Sequence, residues 1–444
     1  MGRKRTLAIG AAAVAVLVAM TVIPAGAAPD KGTPAATEIG VSTTEIHIAV
    51  VADVDSPLAP NLFKGSVDGV KAAARYLNSQ AGGGGVAGRK LVVDFYDSKL
   101  NPAQARNATI AACQNDLAMV GTAAIFLTSV DDIVNCKDQS GATIGLPDLS
   151  SFAAGTAEAC ASTSYPVNGV NYDCSTLAQS EQTYLGNQGA FKWQLSRHKN
   201  DLHGPMIVGS DVKNPNFIPA TAQKAGIKPD QGSVVPKSAR DPQSAYTSVI
   251  QQMKADNSNY SLMTSSANSL LEMRDEATLQ SLDSSKVVWD TVSAYGNAIV
   301  AQNASSFEGQ YQSLGFLPFE EAKSNPTLAA FLKDMKQVGG TPDQFAVYAW
   351  DATLAFAEAT KAVIAKQGVN GITRSSFIHG LESLTAFNAG GMAGTHSFAT
   401  QKPSPCFVVM RFVNGKWVRQ YPAKAGTFDC KAANVITFKA DLIN

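Results

Sequence analysis

The sequence has little charge and no surplus of either sign. Lysine plus arginine and aspartate plus glutamate number 36 each, and charged residues make up 16% of the 444 residues, against roughly 25% in an average soluble protein. Because no basic excess is present to neutralise phosphates, we expect no nucleic-acid partner. Hydrophobic residues make up 45% of the chain, which excludes a disordered protein and provides for a large buried core.

The motifs of common catalytic and metal sites are missing as well. The six cysteines form no CxxC pair, which argues against a zinc ribbon or a thioredoxin-like site. No HExxH, GxSxG or SxxK motif occurs. The glycine-rich run before Lys90 lacks the Ser/Thr of a phosphate loop and follows a helical pattern instead of a strand. We therefore predict no catalytic residue, no metal and no cofactor, and a protein that is not an enzyme.

The N-terminus has the pattern of a secretory signal. Basic residues at positions 3–5 precede an apolar stretch over 7–23, and small residues follow up to Ala27. This order predicts a signal peptide over residues 1–27 and an exported protein, periplasmic or extracellular; a retained membrane anchor is the alternative. The first cysteine is Cys113, so we expect no lipid anchor through an N-terminal cysteine.

Export makes the six cysteines candidates for disulfide bonds. Six cysteines allow fifteen pairings, and spacing alone does not choose among them. Proximity along the chain favours Cys113 with Cys136, Cys160 with Cys174, and Cys406 with Cys430. We expect a structural role for all six.

Strand and helix patterns alternate after a linker at residues 28–44. In the first part of the chain, strands are predicted over 45–52, 90–96, 118–126 and 142–146. Helices are predicted over 62–77, over 101–115 with Asn101 as N-cap and Pro102 in the first turn, and from Ser129 onward, where Ser129 and Asp132 fit a capping box.

The same alternation resumes after the cysteine loop. Short strands are predicted over 205–209, 232–235, 260–264 and 286–289, and helices over 214–226, 241–256, 268–282, 326–338, 344–366 and 375–384. A hairpin through Asn414-Gly415 would join strands over 406–413 and 416–420. This repeated βα order predicts an α/β fold built from two doubly wound parallel sheets.

Two serine-containing segments follow strand ends in the first part of the chain. Thr128-Ser129 and Ser150-Ser151 would lie where open α/β sheets collect ligands, at the carboxyl ends of the strands. If each segment starts a helix, its free N–H groups and positive dipole end suit a carboxylate. Capping of the helix is the alternative role of such serines.

Several further runs occur in an order that is shared with a known family. These are Ile46–Ala52, Ser56-Pro57-Leu58, Gly65–Ala73, Gly85–Leu91, Asp97 with Asn101-Pro102, and Tyr348–Ala352. In this order the chain, over roughly 45–420, resembles the extracytoplasmic substrate-binding proteins of branched-chain amino acid ABC transporters, which are type I periplasmic binding proteins. The resemblance implies two Rossmann-like βα lobes joined by a three-crossing hinge. Lobe 1 would contain 45–180 and 316–388, and lobe 2 would contain 181–315 and 389–440.

The resemblance also implies a carboxylate-binding group in lobe 1. In the family, a serine after the third strand binds the ligand carboxylate, and this position corresponds to Ser129. A second hydroxyl beyond the fourth strand shares the carboxylate, and Ser150 occupies that position. Thr128 and Leu149 precede these two serines and are expected to line the site with them.

Other ligand positions of the family fall on residues of different chemistry here. The aromatic position in the early loop falls near Asn61 or Leu62. In lobe 2, the aromatic positions fall near Ser266 and within 214–217, which includes Phe217. The family's ammonium-binding glutamate falls near Thr291, where Asp290 is the acidic neighbour. The aromatic clamp is therefore expected to be largely absent, and Asp290 is the candidate partner for an ammonium group.

These features predict a solute-binding protein. It would capture a small amino acid, or a related carboxylate or amide, in the cleft between the lobes by hinge closure, and deliver it to an ABC permease. We expect a monomer whose partners are the small-molecule ligand and the permease. Two alternatives stay open, namely a ligand sensor that signals to a receptor or kinase and a secreted hydrolase.

Overall fold

The computed structural model describes residues 32–440 except 58, 128, 178, 180 and 211–216, and for 231–233 the backbone alone. Its strands are β1 (Glu45–Ala52), β2 (Lys90–Asp97), β3 (Ala118–Val120), β4 (Asp148–Leu149), β5 (Gln182–Asn187), β6 (His203–Gly209), β7 (Lys228–Lys237), β8 (Tyr260–Met263), β9 (Val288–Thr291), β10 (Tyr311–Leu314), β11 (Val408–Val413), β12 (Lys416–Tyr421) and β13 (Val435–Ala440). Its α-helices are α1 (Lys64–Asn78), α2 (Pro102–Asn115), α3 (Asp131–Val134), α4 (Thr156–Ala159), α5 (Gly189–Arg197), α6 (Phe217–Ala225), α7 (Thr247–Ala255), α8 (Ala267–Leu279), α9 (Ala298–Gln302), α10 (Pro326–Gln337), α11 (Gln344–Gln367) and α12 (Arg374–Glu382).

The first sheet is parallel and has helices on both faces. Its strand order is β2-β1-β3-β4. Alternate residues of β1 point to opposite faces, so Ile48 and Val50 pack in the core that α1 and α11 share, whereas Ala49 and Val51 pack against α2. Burial of both faces explains the nearly continuous apolar run of β1. This sheet and its helices, which include α10 and α12 through their packing on α1 and α11, form the first lobe.

The second sheet forms the core of the second lobe. Its strand order is β12-β11-β10-β9-β8-β6-β7, and β11 is antiparallel to both of its neighbours, β10 and β12, while the remaining pairs are parallel. One face of the sheet packs against α7 and α8, and the other packs against α5 and α6. The β11–β12 hairpin turns at Asn414 and Gly415, whose φ angles of 51° and 75° are those that an Asn-Gly turn supplies. The doubly wound arrangement predicted for both sheets is confirmed.

The chain passes between the two lobes three times. These three crossings lie between β4 and β6, between β10 and α10, and between α12 and β11. Backbone hydrogen bonds join the second and third crossings, because the N–H of Leu317 donates to the carbonyl of Met392 at 2.8 Å and that of Gly394 donates to Gly315 at 2.8 Å. Val170 on the first crossing donates to Gln401 on the third at 2.7 Å. The crossings therefore form one hydrogen-bonded hinge.

The three disulfides lie in different parts of the fold. The structure joins Cys113 to Cys136, Cys160 to Cys174, and Cys406 to Cys430, the pairing that proximity favoured. The first links α2 to the turn after α3, the second closes the loop before β5, and the third ties the start of β11 to the segment before β13. Each closes a loop of fewer than about 30 residues, which reduces the conformational entropy of the unfolded chain.

Several predicted elements of the first lobe are wrong in position. The fourth strand is Asp148–Leu149 and not 142–146, because Gly141 and Gly145 turn the backbone with φ angles of 86° and 87°. The third strand ends at Val120, where Gly121 has a φ of 73°. Strands β5, β10 and β13 and helix α5 were not predicted.

The predicted helix starts at the two serine segments are also wrong. Helix α3 begins at Asp131 with Val130 in the N-cap position and no side-chain cap, so Ser129 forms no capping box. No helix follows Ser150 directly, since α4 begins at Thr156. Neither serine therefore lies at a helix N-terminus in the structure.

Candidate ligand-binding site

The loops at the carboxyl edge of the first sheet are held together by one buried carboxylate. Asp53 follows β1 and is 1% exposed. Its Oδ1 accepts hydrogen bonds from the Ser98 hydroxyl at 2.6 Å and the Leu100 N–H at 2.7 Å, and its Oδ2 accepts from the Ile125 N–H at 2.7 Å. Because these donors lie in the loops after β2 and β3, Asp53 fixes three loops relative to one another.

Ser150 and Leu149 lie behind the surface of this edge. Leu149 is part of β4, and both residues are completely buried. The Ser150 carbonyl accepts a hydrogen bond from the N–H of Val167 at 3.1 Å, while its Oγ has no hydrogen-bond partner among the described residues. The adjacent Ser151 hydroxyl lies 2.7 Å from that of Ser66 on α1.

Ser129 has the opposite environment. It is exposed in the segment before α3, whereas Ser150 has no exposed surface. Thr128 lies outside the described residues. The structure therefore presents the two predicted carboxylate-binding hydroxyls in different environments, one in solvent and one in the interior, and their shared role in binding stays a prediction.

The early-loop positions Asn61 and Leu62 are both exposed. Asn61 has a φ of 60°, and its N–H donates to the Val54 carbonyl at 2.8 Å, so it completes a turn. The adjacent Phe63 is buried instead, with its ring 5.5 Å from that of Phe152. The aromatic side chain of this loop belongs to the core of the first lobe.

In the second lobe, Ser266 and Asp290 both have partners within the protein. Ser266 caps α8, since its hydroxyl accepts the Ser269 N–H at 3.0 Å. Asp290 is buried in β9, where its Oδ2 accepts from the Tyr260 hydroxyl at 3.1 Å and its Oδ1 accepts from the Thr291 N–H at 3.0 Å. Burial raises the pKa of Asp290 to about 7. Its role as an ammonium ligand stays a prediction.

A cavity of about 280 Å³ lies where the two lobes meet at the crossings. Of the predicted site residues, Phe217 lines it, and Ser150 touches its wall through the hydrogen bond to Val167. The lining is largely apolar and comes from both lobes and from the three crossings, with Val167, Phe191, Phe217, Val292, Leu314, Phe387 and Phe407 as its main apolar members.

The polar part of the lining comes from helix α11 and the crossings. Gln344, Tyr348 and Asp351 extend from one side of α11, and Asn171, Asn187 and Ser404 belong to the crossings. These side chains are arranged by local structure, since Asp343 caps α11 through the Ala346 N–H at 2.8 Å and Asn187 donates to the Ser404 carbonyl at 3.0 Å.

Two lining side chains have buried polar atoms without a hydrogen-bond partner among the described residues. These atoms are Oδ1 of Asp351 and Nε2 of His396. Burial raises the pKa of Asp351 well above its usual range and lowers the pKa of His396 to about 4. Burial therefore favours the neutral form of both groups in the ligand-free protein. Since an orphaned buried polar group costs free energy, a ligand that bonds to them is favoured.

The cavity residues of the third crossing, His396, Ser404 and Phe407, were missed because no motif around them indicates a ligand site. A signal did exist for α11. Tyr348 and Asp351 belong to one of the runs that carry the family resemblance, and their spacing of three places them on one helix face. Nothing in the sequence indicates that this face lines a cavity.

A buried carboxyl pair behind the site leads to a prediction about pH. Asp148 is completely buried, with the Thr122 hydroxyl donating to its Oδ1 at 2.6 Å. Burial raises its pKa to about 7, and burial with the charge of Asp148 raises the pKa of Glu158. Between pH 4 and 7, Asp148 thus keeps a proton in the folded protein that it has released in the unfolded chain. The contribution of Asp148 to the free energy of unfolding therefore falls as the pH rises.

Asp148→Asn is expected to reduce the loss of stability at rising pH, because asparagine still accepts a hydrogen bond from the Thr122 hydroxyl and carries no charge. Between pH 5 and 8 the free energy of unfolding of the variant should fall by roughly 2 kcal/mol less than that of the wild type. Urea unfolding at several pH values measures the difference. Asp201→Asn, at a side chain that is 64% exposed, is the control and should leave the profile unchanged. Parallel profiles for wild type and Asp148→Asn would contradict the prediction.

Two lobes with parallel sheets, three hydrogen-bonded crossings and a cavity between the lobes define a two-lobed ligand-binding protein. A family model described as periplasmic binding protein matches residues 45–416. The chain belongs to the periplasmic binding protein family, as the sequence resemblance implied, and the members of this family bind solutes outside the cytoplasm. In the part of the chain that the structure describes, no helix is both long enough and apolar enough to cross a membrane.

Solved structures with the same fold are distant in sequence. A fatty acid ABC transporter substrate-binding protein from Thermomonospora curvata has a TM-score of 0.64 and 15% identity, covering 88% of this chain and 97% of that one. The leucine-, isoleucine-, valine-, threonine- and alanine-binding protein from Brucella ovis has a TM-score of 0.62 and 17% identity, covering 90% and 96%. An ABC transporter solute-binding protein from R. palustris, in complex with benzoate, has a TM-score of 0.62 and 15% identity, and the match covers 87% of this chain and 98% of that one.

No curated protein matches the chain. The structural neighbours are below 20% identity, so they establish the fold and leave the ligand to be argued from the residues of this chain.

Proposed function

We propose that this protein captures a small amino acid, or a related carboxylate or amide with an apolar body, in the cavity at the crossings and delivers it to an ABC permease. The observation that carries the proposal is the pair of unpartnered polar groups, Asp351 and His396, in a largely apolar cavity lined from both lobes. Closure of the lobes about the crossings would complete the site and present a composite surface to the permease. The proposal involves no covalent step, so the protein acts as a binding protein and not as an enzyme.

The lining supports a ligand with an apolar body and one polar end. Eight of the described lining side chains are large and apolar, Ile218 and the seven named above, and no lysine or arginine is among the described lining residues. A carboxylate would therefore be held by neutral donors, such as the protonated Asp351 and the amides of Asn171 and Asn187. An ammonium group would instead favour ionised Asp351 and lower its pKa.

The names of the structural neighbours agree with this chemistry. They refer to a fatty acid, to benzoate and to five amino acids, and each of these ligands joins an acid group to a hydrocarbon part. The cavity of about 280 Å³ is at the small end of the range of ligand pockets, which favours the smaller of these compounds.

We also propose that residues 1–27 are removed on export, and that lobe 1 comprises 45–180 and 316–388 and lobe 2 the remainder up to 440. The three disulfides support an oxidising compartment outside the cytoplasm. N-terminal sequencing of the exported protein should begin at Ala28, and a chain that retains its first residues would contradict this.

Isothermal titration calorimetry against leucine, alanine, benzoate and a medium-chain fatty acid tests the binding proposal, and Gly315→Leu provides a specific variant. Gly315 lines the cavity, and a Cβ atom placed on it would meet no atom within 4 Å. A leucine here should fill the cavity without strain and weaken binding of whichever compound binds by about 100-fold or more.

Gly155→Leu is the matched control. A Cβ on Gly155 also meets no atom within 4 Å, its φ is −127°, and it does not line the cavity. We expect wild-type affinity for this variant and unchanged thermal unfolding for both. Equal affinity of Gly315→Leu and wild type would place the ligand elsewhere, and no binding of any compound would refute the proposed ligand class.

A further inference from the structure

A histidine and two aspartates meet at the amino ends of strands β1 and β3, away from the cavity. His47 on β1 and Asp94 on β2 lie on the same face of the sheet, since Asp94 is paired with Ala49, two residues after His47. Asp116 precedes β3 and is brought beside His47 because the Leu117 N–H donates to the His47 carbonyl at 3.0 Å. One ligand atom from each of His47, Asp94 and Asp116 lies within 4.8 Å of the others.

The buried aspartate of this cluster has an unused oxygen. Asp116 has no exposed surface, its Oδ2 accepts the Tyr96 hydroxyl at 3.0 Å, and its Oδ1 has no hydrogen-bond partner among the described residues. A buried carboxylate oxygen without a partner is unfavourable, and a cation would satisfy it. Tyr96 then acts as the outer partner that orients a ligating carboxylate.

The other two ligands leave the cluster open on one side. The side chains of His47 and Asp94 are each 34% exposed, and Nδ1 of His47 lies 2.7 Å from Oδ2 of Asp94. Ligand atoms about 2 Å from a tetrahedral ion are roughly 3.3 Å apart. Small side-chain rotations would therefore admit an ion, and the exposed side provides an entry path and room for water ligands.

We propose that His47, Asp94 and Asp116 form a binding site for a divalent first-row transition-metal ion, with Zn²⁺ as the best-matched ion. One imidazole nitrogen and two carboxylate oxygens are ligands that Zn²⁺ uses, whereas Mg²⁺ and Ca²⁺ prefer oxygen alone. A fourth position is left for water. The ion would join strands β1 and β2 to the segment before β3, and it would stabilise the folded protein because the unfolded chain does not hold these three ligands together.

The chain contains a matched pair that lacks the third ligand. Nδ1 of His203 lies 3.1 Å from Oδ1 of Asp230, and the Ser258 hydroxyl donates to the other oxygen of Asp230. This pair resembles His47 and Asp94 in strand position, although the Asp230 side chain is less exposed, at 9%. No metal-ligating group of three includes it among the described residues. His203→Ala therefore serves as the control.

The test is titration of the chelator-treated full protein with Zn²⁺ near neutral pH, followed by calorimetry and by thermal unfolding. The wild type should bind one ion per chain and unfold at a higher temperature when the ion is present. His47→Ala should lower the affinity by about 100-fold or more and Tyr96→Phe by about 10-fold, while His203→Ala should match the wild type.

Asp94→Asn provides a second variant in case His47→Ala perturbs the strand, and circular dichroism checks that each variant is folded. The proposal is overturned if the wild type binds no Zn²⁺, or if His47→Ala and Asp94→Asn bind it as tightly as the wild type and His203→Ala.

Discussion

Replacing Arg374 by methionine is expected to destabilise the protein by about 3–5 kcal/mol, the cost of leaving buried partners of a charged group unpaired. Arg374 is the first residue of α12 and has no exposed surface. Its guanidinium donates to four backbone carbonyls, at 3.3, 2.7, 2.7 and 2.6 Å, which belong to Leu117, Cys113, Asp116 and Lys137.

The effect is expected to be large because these carbonyls have few other hydrogen-bond donors to replace the guanidinium. They lie at the end of α2, before β3 and after α3, where regular backbone bonding stops, so the guanidinium replaces the helix and sheet partners that these segments lack. Methionine has a similar length and is apolar, so the variant keeps most of the packing and removes the donors.

Urea unfolding of the variant and of two controls measures the effect. Arg106→Ala removes an exposed arginine that pairs with Asp132 at 2.7 Å, and such surface pairs contribute less than about 1 kcal/mol. Arg374→Lys keeps the charge with fewer donors and should be intermediate. A methionine variant as stable as Arg106→Ala would show that the carbonyls find other partners.

Replacing Trp350 by alanine should lower the free energy of unfolding by about 3–5 kcal/mol and weaken ligand binding. The substitution leaves a large cavity where α11 packs against α1 and α10 in the first lobe. Trp350 is completely buried, and its ring lies 5.4 Å from that of Tyr76 on α1 and 5.5 Å from that of Phe331 on α10. On the other side of the same helix, Tyr348 and Asp351 line the cavity, so movement of α11 would displace the proposed ligand contacts.

Trp350→Phe separates the packing of the ring from its polar atom. The indole N–H has no hydrogen-bond partner among the described residues, so phenylalanine loses volume but no hydrogen bond. We expect a cost of no more than about 2 kcal/mol and nearly unchanged ligand affinity. Thermal unfolding and calorimetry measure both quantities. A phenylalanine variant as unstable as the alanine variant would contradict this separation of effects.

The elements that the sequence predicted well are those with strong local signals. The apolar run of β1, the Asn101-Pro102 start of α2 and the Asn414-Gly415 turn all appear where they were expected. A buried strand needs an apolar run, a helix start needs an acceptor for its free N–H groups, and a tight hairpin needs two residues with positive φ. Each requirement is met within a few residues, so it is visible in the chain.

The predictions that failed concern local patterns that the tertiary structure overrules. Residues 142–146 are apolar enough for a strand, yet two glycines with positive φ turn the chain away and β4 forms at Asp148. Ser129 has the spacing of a capping box, but α3 begins after it with Val130 in the cap position. A two-residue strand and a four-residue helix have too few residues for periodicity to locate them.

The sequence by itself determined that this chain has two doubly wound βα lobes and where its most strongly patterned segments lie, because these properties depend on periodicity and capping along the chain. The tertiary structure alone decided what meets at the cavity. Asn187, Asp351 and His396 come from three separate segments and lie in the wall of one cavity. Their meeting depends on how the two lobes pack at the crossings, and the free energy of that packing is spread over many weak contacts that no short motif encodes.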